Sequence, residues 1–352
     1  MSRTNENGTV NICIYVDDVL LVGDGKAIKD AIKDIEKKFD IRKEGPLKDY
    51  LGCIIKFDDD GGLIHQPHSI KKLEAKFGDL VKDIRKSNLP SPPGLNLMRP
   101  KEEDELINSD LQERYRSGVG MLLYLIKYTR PDIANAVREH SKMMDKATQL
   151  HYRSLLRLIK YVLDTKEKGL RMNPRRNGDN LIDIEGYSDS DYAGDKDTRR
   201  SITGLVIYLC GVPVSWRSKG QKAVTLSSTE SEYYAMSELC TELIYIKHIL
   251  EFLSVQVMYP MIVRVDNIGA MFLANNPALN QRTKHISVRQ HFIREYVENG
   301  TIKIIFVKSK FNTADIFTKN LNQELFVRHS TNIMNRMIEL KDDMRENGTH
   351  EK

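Results

Sequence analysis

The sequence predicts a protein of mixed class, part α+β and part α/β, and three observations predict it. Apolar runs alternate with turn residues over 10–85, helical spacing of apolar residues fills 111–163, and after 181 strands give way to alternating helix and strand. At 352 residues the chain has room for more than one core, at about 150 residues per domain. Hydrophobic residues make up 40% and charged residues 29%, and no apolar run nears the ~18 residues of a membrane span. That composition predicts a soluble globular chain and excludes both a membrane helix and a minimal disulfide-stapled peptide. The polar start, Met1 to Asn11, lacks the apolar core of a secretory signal, so Asn7 and Asn347 are expected to stay unglycosylated. Cys13, Cys53, Cys210 and Cys240 show no paired spacing, which predicts a reducing, intracellular setting and no structural zinc. A net charge of +5 permits a polyanionic partner without requiring one.

In the first block Ile12 to Val22 reads as strand, and Ile28, Ala31, Ile32, Ile35 and Phe39 follow at helical spacing. A hairpin is expected next, with strands Tyr50 to Phe57 and Leu63 to His65 joined across Asp58-Asp59-Asp60-Gly61-Gly62. Leu89-Pro90-Ser91-Pro92-Pro93-Gly94 cannot continue a helix or a central strand and reads as a linker over 89–110. The helical block breaks at Arg130-Pro131, where Asp132 is placed to cap the next helix, and ends at Asn173-Pro174. In the last block Leu181 to Tyr187, Leu205 to Leu209 and Val212 to Trp216 read as strands, with Cys210-Gly211 as a hairpin corner. A helix is expected from Glu230 to Leu253, because Met236, Leu239, Leu243, Ile246, Leu250 and Leu253 form one stripe. Met261 to Val265, Lys284 to Asn299 and Thr301 to Val307 then read as strand, basic helix and strand. Residues 321–352 read as a helix followed by a polar tail.

Six acids do not look decorative. Asp17 and Asp18 interrupt an apolar run, where buried carboxylates would need a counter-ion such as a divalent cation, unless they sit on an exposed turn. Asp189 follows the strand-like Leu181 to Tyr187, Asp266 ends Met261 to Val265, and Asp315 opens a helix after Phe306-Val307. Glu232 lies four residues before Met236 and extends its stripe by a turn, which points its carboxylate at the sheet. Thr229-Glu230-Ser231-Glu232 also reads as a capping box, in which Glu232 would only bond back to the helix start. One Glu and three Asp around one sheet can converge on a common place, where like charges cannot crowd unpaired. Two Mg²⁺ ions roughly 4 Å apart would satisfy them and serve phosphodiester hydrolysis. Hard oxygen ligands favour Mg²⁺ or Mn²⁺ over zinc.

Tyr15-Val16-Asp17-Asp18 resembles the palm hairpin of reverse transcriptases, and Tyr50-Leu51-Gly52 the primer-contacting hairpin. Tyr115 to Gly120, Thr129-Arg130-Pro131-Asp132 and His151-Tyr152 resemble the connecting region of copia-type retrotransposon Pol polyproteins. Tyr187 to Gly194, Leu226 to Tyr233, Val265-Asp266-Asn267, Thr283 to Ile286 and Thr313 to Lys319 resemble the ribonuclease H of that family. The likeness runs over about 10–320 and implies a truncated palm (1–88), a linker (89–110), a helical thumb- or connection-like region (111–172), a ribonuclease H-like mixed sheet with flanking helices (181–320) and a tail (321–352). It implies Asp189, Glu232, Asp266 and Asp315 as catalytic metal ligands, with Asp17 and Asp18 as two of three palm aspartates. Glu232 is preferred over Glu230 because it lies in line with the stripe, and Asp189 over Asp191 because it is nearer the preceding strand.

Only about ten polar residues precede the palm hairpin, so polymerase activity is not expected without an upstream segment. Lys308-Ser309-Lys310-Phe311 lacks the His many ribonucleases H carry before the last Asp, and His285 is no more than a substitute candidate. Lys219, Lys222, Arg282, Lys284, Arg289, Lys308 and Lys310 flank the acids in sequence, as backbone-gripping residues or as a solvated face. An RNA/DNA hybrid is the implied partner, read through its 2′-hydroxyls, with the cytoplasm, a virus-like particle or the nucleus as the setting and no membrane. The rival readings are an inactive nucleic-acid-binding remnant and a glycosidase dyad such as Glu232 with Asp266; the single Trp216 reads as core and argues against the latter.

Overall fold

The computed structural model describes residues 1–59, 61–175, 181–275 and 287–335. Its first unit is a three-stranded antiparallel sheet, β1 (Ser2–Asn5), β2 (Gly8–Tyr15) and β3 (Asp18–Gly23), covered by helix α1 (Gly25–Glu36). The polar start is thus a strand: backbone pairing of Ser2 with Asn11 through Asn5 with Gly8 needs no apolar pattern at an exposed edge. Ala27 and Ala31 of α1 bury Val10, with Ile12, Leu21 and Ile28 around them.

A second sheet holds β4 (Asp49–Tyr50), β5 (Cys53–Asp58) and β6 (Gly61–His65), followed by α2 (Pro67–Val81). Tyr50 is separated from Cys53 by a tight turn in which Leu51 and Gly52 have φ of 52° and 72°. The expected single strand from Tyr50 therefore folds back on itself. Tyr124 Oη donates to the Leu51 carbonyl at 3.0 Å, and a Cβ on Gly52 would come within 2.7 Å of that hydroxyl.

The helical block comprises α3 (Ser109–Tyr128), α4 (Ala134–Ser141) and α5 (Gln149–Asp164), with a 3₁₀ turn at Pro131–Ile133. Asp132 does not cap α4. Its carboxylate accepts from Arg130 Nε at 2.8 Å and Nη2 at 3.0 Å, and from Tyr161 Oη at 3.0 Å, in a fully buried group. Strand β7 (Leu170–Met172) then pairs with β6, so the chain after the helices returns to the second sheet. The proline-rich stretch is an ordered strap. Gly94 N donates to Asn320 O, Leu97 N to Glu139 Oε2 and Asn96 Nδ2 to Gly194 O, tying 94–97 to the helical block and to the last block.

The last block is a five-stranded mixed sheet in the order β10 (Val212–Gly220), β9 (Ile202–Leu209), β8 (Ile184–Asp191), β11 (Met261–Val265), β12 (Ile302–Phe306). Strands β8, β9 and β10 are antiparallel neighbours, and β11 runs parallel to both β8 and β12. Cys210 and Gly211, at φ of 46° and 82°, make the expected corner between β9 and β10. Helices α6 (Ser228–Phe252), α7 (Ile268–Asn275) and α8 (Ser287–Glu298) cover one face, and α9 (Gln323–Asn335) follows a 3₁₀ turn at Thr313–Phe317.

Alternation along β9 sends its side chains to two cores. Leu205 and Ile207 pack with Met236, Leu239 and Leu243 of α6, while Val206 and Tyr208 pack with Phe317 and the helical block. Trp216 joins this second core and donates from Nε1 to the Ile126 carbonyl at 2.9 Å. The start of the expected tail belongs there too: Phe326 and Ile333 of α9 are buried, and the Phe326 ring meets Tyr161 edge-on. No helix among the described residues is long and apolar enough to cross a membrane.

Candidate metal centre

Asp189 lies inside β8, not beyond its end. Pairing with β9 continues from Ile184 with Leu209 to Asp191 with Ile202, because the long β9 supplies partners past the apolar part of β8. Parallel β11 ends beside it, and Asp266 is the first residue after that strand. Glu232 comes from the second turn of α6. The helix start is capped elsewhere: Ser227 Oγ accepts from Glu230 N at 3.1 Å, and Glu230 Oε2 accepts from Leu226 N at 2.7 Å. Glu230 therefore does the capping, and Glu232 turns toward the sheet, 8% exposed.

One carboxylate oxygen from each of Asp189, Glu232 and Asp266 lies within 4.8 Å of the other two. Burial, then the charges of Asp189 and Asp266, push the Glu232 carboxyl up to about 10, against a hydrogen bond from the Ser190 backbone. Burial and Asp189 also raise Asp266, opposed by hydrogen bonds to Ser309 and Asn312. Asp315 sits on the 3₁₀ turn at 3% exposure, pushed up to about 7 by burial and by Asp189. Thr318 Oγ1 donates to Asp189 Oδ2, and Lys319 Nζ stands 2.7 Å from Asp315 Oδ1 and 4.0 Å from Asp189 Oδ2. Burial works against the Lys319 charge, yet Asp189, Asp315 and Asp191 hold its pKa above the ordinary lysine value. Asp191, raised by burial, faces this same lysine from the strand end.

The donor set fits a hard divalent cation. Glu232 Oε2 and Asp266 Oδ1 are buried with no hydrogen-bond partner, which is costly unless a cation completes them. The three clustered ligands are carboxylate oxygens, the chemistry Mg²⁺ or Mn²⁺ selects.

The other expected residues fall differently. Asp17 lies on the exposed two-residue turn Val16-Asp17 and Asp18, also exposed, opens β3 opposite Tyr15, and no third acid joins them within metal reach among the described residues. The charge sits at a hairpin tip because Val16, at φ 54°, turns the chain before the second strand. Lys219, Lys222, Lys308 and Lys310 are exposed, and Lys310 lies over the Phe311 ring at 4.8 Å. Arg289 belongs to α8, while Arg282, Lys284 and His285 lie outside the described residues. Sequence reasoning assigned no role to Thr318 or Lys319. The spacing of Lys319, four residues after Asp315, was the available signal.

The chain is 32% identical over 331 residues to the retrovirus-related Pol polyprotein from transposon RE1 of Arabidopsis thaliana, an overlap of 92% of this chain and 21% of that protein. It is 34% identical over 330 residues to the corresponding polyprotein from transposon TNT 1-94 of Nicotiana tabacum, at 92% and 24%. The chain thus spans about a fifth to a quarter of the length of these curated relatives. Among solved structures, a ribonuclease H1 isolated from compost, LC11-RNase H1, overlaps 42% of this chain and 97% of its own, at 15% identity and a TM-score of 0.29. No protein-family model matches the chain.

Proposed function

The chain belongs to the retrovirus-related Pol polyproteins of transposons, and from that premise we propose that its last block is a metal-dependent ribonuclease H that cuts the RNA strand of RNA/DNA hybrids. The observation that carries this reading is the buried convergence of Asp189, Glu232 and Asp266, with two carboxylate oxygens lacking partners. In it Asp189, Glu232, Asp266 and Asp315 hold the cations. When bound, Mg²⁺ supplies water activation on one side of a phosphodiester and charge stabilisation at the leaving oxygen on the other.

The chain's own groups do the rest. Thr318 fixes the Asp189 carboxylate, Ser309 and Asn312 hold Asp266, and the backbone of Ser190 holds Glu232. Exposed Lys219, Lys222, Lys308 and Lys310 would track phosphates, and the hybrid would be told from DNA by its 2′-hydroxyls. Residues 1–88 correspond in this reading to a palm fragment and 111–172 to the connecting region. No nucleotide incorporation is proposed for Asp17 and Asp18 alone, since two exposed carboxylates leave a metal pair short of ligands.

The test is a labelled RNA/DNA hybrid with the purified chain and Mg²⁺. Cleavage of the RNA strand, lost on chelation and in Asp266→Asn, is the expected result. Cutting retained by Asp266→Asn rejects the site, and salt-sensitive binding without turnover under any divalent metal replaces the enzyme with a binding remnant.

A further inference from the structure

We infer that Lys319 is a built-in cation that occupies the Asp315 side of the acidic centre and has to leave it before a second divalent ion binds, so that the two ions load unequally. The inference rests on the metal-binding reading above and concerns how that centre fills. Its basis is an asymmetry among the four carboxylates. Asp315 is ion-paired to Lys319 Nζ at 2.7 Å, and Asp189 is 4.0 Å from the same nitrogen. No ion pair reaches Glu232 or Asp266 among the described residues; Glu232 Oε2, Asp266 Oδ1 and Asp315 Oδ1 all lack a hydrogen-bond partner, so the asymmetry lies in where the ammonium stands.

A cation held by Asp189, Glu232 and Asp266 therefore meets open oxygens. One that Asp189 and Asp315 would hold meets an ammonium already placed 2.7 Å from Asp315 and 4.0 Å from Asp189. Both cannot stay, because two positive charges would share the same pair of oxygens at contact distance.

Lys319 is also built to leave. Its side chain is 44% exposed while that of Asp315 is 5% exposed, so the ammonium can reach water and the carboxylate cannot follow. Its backbone is held: Lys319 N donates to Asp315 O at 3.3 Å, and the preceding Thr318 is buried and tied to Asp189. Only the four-carbon stem needs to move, which a lysine does readily. While metal is absent the same ammonium offsets part of the repulsion among the acids.

The test is a Mn²⁺ titration of the metal-free full chain without nucleic acid, read by calorimetry and by the Mn²⁺ spin resonance signal. The wild type is expected to show one tighter and one weaker class. Lys319→Met should tighten the weaker class at least tenfold, Lys319→Arg should leave it weak, and Asp315→Asn added to Lys319→Met should delete it and spare the tighter class. Lys319→Gln, which keeps a polar side chain and loses the charge, should repeat the Met result if the Met variant does not fold. A Lys319→Met isotherm matching wild type, or two equally tight classes in the wild type, overturns the role of Lys319 and leaves the nuclease reading standing. Absence of Mn²⁺ binding in all of these proteins overturns both.

Discussion

Asp132 and Asp189 are each only 2% exposed, yet the chain treats them in opposite ways. Asp132 receives two guanidinium nitrogens from Arg130 and the Tyr161 hydroxyl, and although burial alone would raise it, Arg130 holds it below the usual carboxylate range. Asp189 receives Thr318, a lysine at 4.0 Å and two further acids, and those acids are pushed up. A buried acid that brings its own base is part of the scaffold. A buried group of acids without enough base is a place for an external cation, and the metal-free chain carries its repulsion.

This contrast can be broken most forcefully at Arg130. Arg130→Met leaves Asp132 buried without its partner and should cost about 3–5 kcal/mol, read as a lowered urea midpoint. At the other site removal of a charge should cost activity and not stability. Asp189→Asn and Asp266→Asn are expected to slow hybrid cleavage by at least about a hundredfold, since losing a ligand should exceed the 10–100-fold typical of its supporting partners. Their melting temperatures without metal should match or exceed wild type. Equal destabilisation at both places would erase the distinction.

A pH series sharpens the same point. Glu232 holds its proton up to about 10 in the folded chain, against an ordinary 4.5. Below about pH 4.5 it is protonated in both states and contributes nothing. As pH rises, the unfolded chain ionises first, so metal-free stability falls until the folded group titrates as well. Glu232→Gln should therefore melt progressively higher than wild type between about pH 5 and about pH 9, and Mg²⁺ should close the gap by stabilising wild type alone. The smallest effect belongs to the hairpin: Asp17→Asn with Asp18→Asn should leave hybrid cleavage unchanged and stability within ~0.5 kcal/mol, because both side chains already face water. A large loss there would assign the hairpin a role that its exposure argues against.

Much of this was legible beforehand where a local rule governs. The stripe from Met236 to Leu250 located α6 within two residues and pointed Glu232, not Glu230, at the sheet. Cys210-Gly211 marked its corner through the need for positive φ. Failures came where distant partners decided. The proline-rich stretch reads as a linker by composition, yet its backbone is tied down by Glu139, Gly194 and Asn320. Asp132 has the local look of a helix cap, but Arg130 and Tyr161 claim it. Strand β1 has no apolar pattern to announce it, and Leu170–Met172 follows a helix yet completes another sheet.

Periodicity, turn residues and motif order determined on their own where the strands and helices lie and which acids stand near element ends. Those are properties of near neighbours along the chain. Only the tertiary structure decided that three of those acids share one buried space, that two others sit in water, and that Lys319 stands among them. The reason is physical: repulsion, burial and ion pairing depend on separation in space and on access to water, and neither is set until β8 and β11, whose paired residues such as Glu185 and Ile262 are 77 positions apart, lie side by side.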